Sequence, residues 1–150
     1  MLQWVIVLKS TYEMSNKLKL NKIKPKNTSR FDIKEPQNYD NLKPIFSFRN
    51  MKYGGKNCLS KCNSRSRASM VKTLLMLSQL TWHEISSTSK ESHGKENIPI
   101  EQFKVPLPHI VTPEVKTLTV FRFSRSERMA GIRYKDIYDI LIVGADLYKH

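Results

Sequence analysis

An α+β fold is what this sequence predicts: one helix packed on a three- to four-stranded antiparallel sheet, preceded by a basic flexible arm. Residues 68–85 carry apolar side chains at helical spacing, and the stretches after Thr117 read as successive strands. From Lys17 to Lys43 the sequence is polar, basic and broken by proline. The expected organisation is therefore an arm over residues 1–43 and a single domain over 44–150.

The chain opens with MLQWVIVL, which is apolar but lacks a basic leader, and the following KSTYE is not a small-residue cleavage site. Met14 is a natural alternative initiator. Lys17, Lys19, Lys22, Lys24 and Lys26 then form a basic comb interleaved with Leu18, Leu20 and Ile23, and Pro25 and Pro36 stop any long element. Such a comb is either an arm that tracks phosphates or a solvated leader.

Residues 45–48 (IFSF) form a short strand candidate, and Tyr53-Gly54-Gly55 a turn. A basic entry, NSRSR, leads into the helix, whose stripe is Met70, Leu74, Leu77 and Leu80 or Thr81, widened by Val71, Leu75 and Ile85. Ser66 or Ser69 is placed to cap it. Residues 86–97 are polar and aperiodic, hence a loop, and Pro99, Pro106 and Pro108 make residues 98–110 irregular or an edge segment. TLTVFRF (117–123), RMAGIRY (128–134) and IYDILIV (137–143) read as an antiparallel meander joined by short turns. The last run is almost continuously apolar, as a central strand covered on both faces requires.

At 150 residues the chain can bury a core without disulfides or a structural metal. Its 26 Lys and Arg against 13 Asp and Glu leave +13, an excess that favours polyanions, phosphate backbones above all. An anionic membrane surface or an acidic protein would also match that charge. No segment approaches the ~18–20 apolar residues of a membrane span, so a cytoplasmic location is expected. Cys58 and Cys62 read as two reduced thiols, because His83, His93, His109 and His150 have the wrong spacing to complete a zinc site. No metal and no cofactor are expected.

Phosphate-binding glycine loops, the G-x-S-x-G elbow and H-E-x-x-H are absent; after His83-Glu84 the second histidine position holds Ser87. What remains for chemistry is the sheet and its exit. Pairing across the short turn is expected to bring Arg122 and Arg133 together on one side, where two guanidinium groups grip a phosphodiester. Tyr148 and His150 follow the last strand, a phenol for hydrogen bonding and an imidazole for proton transfer. Arg65, Arg67, Arg125 and Arg128 join the lysine comb as expected nucleic-acid contacts.

The stretch VFRFSRSERMAGIRYKDIYDILIVGADLYKH resembles the last strands of the RelE/ParE toxin superfamily, its YoeB-like branch in particular, within a likeness spanning residues 67–150. It also resembles a looser group of mobile-element proteins with an F-R-F…R-x-x-G-x-R…L-Y-x-H ending. The toxin resemblance implies metal-independent cleavage of messenger RNA on the ribosome through attack by the 2′-hydroxyl. Arg122 and Arg133 would hold the phosphate, His150 or Glu84 and Glu96 would handle the proton, and Tyr148 would position a base or the leaving oxygen. An acidic antitoxin would be the protein partner. Prolines 106, 108 and 113 and the long segment before the helix depart from that pattern. The alternative is a non-enzymatic nucleic-acid-binding or protein-interaction factor of a phage or mobile element.

Overall fold

A computed structural model of the chain describes residues 38–89 and 94–149, and at its centre is a five-stranded sheet. In chain order the strands are β1 (Ile45–Ser47), β2 (Glu96–Pro99), β3 (Thr117–Arg122), β4 (Glu127–Tyr134) and β5 (Ile137–Ala145). They lie side by side as β1, β5, β4, β3, β2. β2 to β5 are antiparallel neighbours, whereas β1 runs parallel to β5, Ile45 beside Ile137.

The fold is α+β as expected, but the sheet is wider than three or four strands and it is mixed. Parallel pairing needs a long crossover, and here everything between β1 and β5 supplies it. β2 begins inside the polar stretch assigned to a loop; it sits at the sheet edge, where Pro99 is tolerated.

The single helix expected over 68–85 is two: α1 (Ser64–Leu77) and α2 (Trp82–Ser87). Asn63, rather than Ser66 or Ser69, caps α1, its Oδ1 accepting the Ser66 N–H at 2.8 Å. Thr81 ends the apolar stripe because it starts a new helix. Its hydroxyl accepts from Glu84 N, and the Glu84 carboxylate accepts the Thr81 N–H at 2.6 Å, a reciprocal cap. Val71 and Leu75, assigned to the buried face, are 60% and 64% exposed.

The helices cover one face of the sheet. Met70, Leu77, Trp82 and Ile85 meet Phe121, Met129, Tyr138 and Ile140 there. Tyr138 is fully buried, and its hydroxyl donates to Thr119 O at 2.8 Å; burial pushes its phenol well above the ordinary range. The proline-rich segment covers the opposite face, with Phe103, Val105, Leu107, Val111 and Val115 packed over Leu118, Val120, Leu141 and Ile142. β5 is thus paired on both edges and covered on both faces, which its apolar run requires.

A bulge sits in the middle of β5. Ala130 pairs with Ile142 but Gly131 pairs with Ile140, so Leu141 is the extra residue, and Leu141 and Ile142 both turn to the loop face. Gly131 is required at this point: a Cβ there would lie 2.2 Å from the Asp139 carbonyl oxygen.

Residues 38–43, assigned to the arm, are fastened to the domain. Tyr39–Asn41 forms a 3-10 turn, Trp82 N donates to Leu42 O at 3.0 Å, and Asp40 pairs with Arg133 at 2.6 Å. The rest of the expected arm, with Lys17, Lys19, Lys22, Lys24 and Lys26, lies outside the described residues, as does His150. Among the described residues no helix is long and apolar enough to cross a membrane.

Candidate nucleic-acid interface

Ser66, Ser69, Thr73 and Met76 recur every three or four residues along α1 and so share one stripe. That stripe borders the turn between β3 and β4, leaving two adjoining clefts of about 350 and 570 Å³. Lys72, Arg122 and Arg125 line the first together with Ser69, Thr73 and Ser124. Arg65, Asn63, Ser66 and Ser126 line the second, and Ser69, Ser124 and Arg125 belong to both. The clefts therefore form one groove with three cations, Arg65, Lys72 and Arg125, and the hydroxyls of Ser69, Ser124 and Ser126. Ser66 and Thr73 are buried, and Arg122 stands at the strand end with its side chain on the other face.

Glu127 is the one carboxylate among the described residues lining it. That carboxylate accepts from Ser124 Oγ at 3.0 Å, while Ser124 Oγ accepts the Glu127 N–H at 3.1 Å. This pair of bonds shapes the turn that presents Arg125. The N-terminus of α1 adds to the positive field, for its first turn holds Arg65 and no acid. Helix dipoles favour negative charge at that end, so a bound anion would relieve what the sequence leaves uncompensated. Hydroxyls and guanidinium groups along a groove match phosphate oxygens spaced along a backbone.

The expected pairing of Arg122 with Arg133 does not occur. Arg122 faces Arg128 across the strands, and Thr119 faces Gly131, which puts Arg133 level with Thr117. Five positions separate the two arginines, about 17 Å at ~3.4 Å per residue. They also leave on opposite faces: Arg122 alternates with Leu118 and Val120, Arg133 with Met129. The expected pairing fails because the tight hairpin turn fixes register from Arg128, not from Arg133. Arg133 is instead tied down: its guanidinium lies 4.3 Å over the Trp82 ring, pairs with Asp40, and donates from Nε to Lys135 O at 2.7 Å.

The other expected catalytic groups disperse as well. Glu84 is committed to the α2 cap, whose hydrogen bonds from Thr81 hold its carboxyl below the usual range. Glu96 sits on the edge strand opposite Val120. Tyr148 is buried on the loop face, its ring 5.7 Å from that of Phe103.

Of the expected nucleic-acid contacts, Arg65 and Arg125 line the groove. Arg67 is exposed on α1 outside it, and Arg128 donates to Glu127 O at 3.2 Å from beside Arg122. Lys72 and Ser69 line the groove without having been expected to, and the surface lysine gives no periodic signal of its own. Cys58 is buried and Cys62 half-buried, both as free thiols. No family model matches the chain, and no curated protein or solved structure matches it either.

Proposed function

We propose that the protein binds nucleic acid, without cleaving it, along the groove between α1 and the β3–β4 turn. The observation that carries this is the groove's charge: Arg65, Lys72 and Arg125 against one carboxylate already engaged by Ser124. The chain's +13 supplies the long-range attraction, and the groove supplies the place where phosphates settle. Binding of this kind is salt-sensitive and tolerant of sequence.

The endoribonuclease expectation rests on two arginines at a single phosphodiester. Arg122 and Arg133 stand on opposite faces, and Arg133 is occupied by Asp40 and Trp82, so binding is the better supported activity.

The test is a titration of labelled single-stranded RNA at several salt concentrations, with strand integrity followed on a gel. Steep weakening with salt, reduced in Lys72→Ala/Arg125→Ala, is the expected result. Salt-insensitive binding, or none, overturns it. Cleavage that Arg122→Ala abolishes would restore the enzyme.

A further inference from the structure

On the opposite side of the sheet from this groove, a cavity of about 700 Å³ opens between the loop after β1 and the proline segment. Its floor is Leu141 and Ile142, the consecutive pair that the β5 bulge turns to one side. Without the extra residue one of the two would face the helices, so the bulge sets both beneath the cavity, 1% and 4% exposed, under the more open Leu107. Pro106 and Pro108 stand along one wall and Met51 along the other.

The rim has a different chemistry. Arg49, Lys52, Lys56 and His109 surround the opening, and no carboxylate lines it among the described residues. Between floor and rim stand Asn50 and Asn57, whose amides carry donor and acceptor together. Asn50 is fixed by donating its Nδ2 to Asp139, and the Asn57 backbone is fixed by accepting from Val143 N at 2.9 Å.

A ligand that satisfies all three layers has a flat apolar body, an edge that hydrogen-bonds, and a phosphate. The volume lies within the ~300–1,000 Å³ of ordinary ligand pockets. We infer that this cavity receives a nucleoside monophosphate unit, its base against Pro106, Leu107 and Pro108 above the buried Leu141 and Ile142, its edge at the two asparagines and its phosphate at Lys52 and Lys56. The unit is either a free mononucleotide or one nucleotide of a single strand, since both present the same chemistry. The site does not rest on the groove and goes beyond it.

The test is an NMR titration of the full-length, isotope-labelled protein with adenosine and uridine monophosphates, adenosine, inorganic phosphate and a short single-stranded RNA. A mononucleotide is expected to give saturable shifts at Asn50, Asn57, His109, Leu141 and Ile142. Lys52→Ala/Lys56→Ala, on exposed side chains, is expected to weaken binding about tenfold or more. Saturation by RNA alone at the same residues, weakened by the same variant, assigns the unit to a strand. Shifts confined to Ser69 and Ser124 would mean that the groove binds and this cavity does not, which overturns the inference. It is equally overturned if phosphate alone or adenosine alone binds as tightly as the monophosphate, or if no ligand perturbs the cavity at millimolar concentration.

Discussion

Arg133 holds Asp40 at 2.6 Å while its guanidinium lies 4.3 Å above the Trp82 ring, so one side chain joins the 3-10 turn at the start of the domain to α2 and β4. The arginine expected to grip a phosphate is a fastener of the fold.

Replacing Arg133 by alanine is therefore expected to lower stability and leave nucleic-acid affinity near that of the parent. The pair is partly exposed, 21% for Arg133 and 51% for Asp40, so its Coulombic share is only ~0–1 kcal/mol. The ring contact adds about 0.5–2 kcal/mol. Urea unfolding of Arg133→Ala, Asp40→Ala and the double variant separates the two, with a small coupling energy expected between the charged partners.

Gly131→Ala is expected to be severe. The new methyl group would lie 2.2 Å from Asp139 O and 2.9 Å from its carbonyl carbon, both backbone atoms that cannot rotate away. A loss of about 2 kcal/mol or more, or failure to accumulate as folded protein, is the outcome to look for by circular dichroism and thermal melting.

Tyr148→Ala should cost about 3–5 kcal/mol, as for a buried aromatic ring. Chemical denaturation distinguishes this from a catalytic phenol, whose removal would leave stability almost unchanged. The ring's contact with Phe103 ties the chain's exit to the segment that covers the loop face.

Acid is expected to loosen α2. The Thr81 cap holds the Glu84 carboxyl below its ordinary range, so the folded state binds its proton less readily than the unfolded one. The resulting stabilisation is full above the unfolded value and is lost as pH falls through the lower, folded one. Glu84→Gln should flatten this acid limb by lowering stability near neutral pH, while changing little in acid, where Glu84 is already protonated.

In the groove, Lys72→Ala and Arg125→Ala should each reduce the slope of log affinity against log salt by roughly 0.7–0.9, one phosphate contact's share. Arg67→Ala, exposed on the same helix but outside the groove, provides the comparison.

Local chemistry made much of the fold legible. The meander from Thr117 onward follows β-branched and aromatic runs broken by short polar turns, and β5 announces its double coverage through an unbroken apolar run. What local pattern does not carry is long-range pairing: nothing around Ile45 reveals that its partner is Ile137. The helix break was readable in principle, since Thr81 and Glu84 make a T-x-x-E cap, but the apolar spacing ran through it and took precedence. The site was harder. Alternation gives each arginine a parity, but whether two parities agree across a hairpin depends on a register set at its turn, and one residue of error exchanges the faces.

The parallel pairing of β1 with β5 also governs when the protein can become itself. As the chain leaves the ribosome, residues 45–47 emerge long before residues 137–139, the partners they need, have been made. The helix layer likewise has no sheet to lie on until the meander arrives. Closure of such a distant loop is slow, so refolding should be slower than for a helical bundle of this size, and a nascent chain halted before Ile137 should remain sensitive to protease.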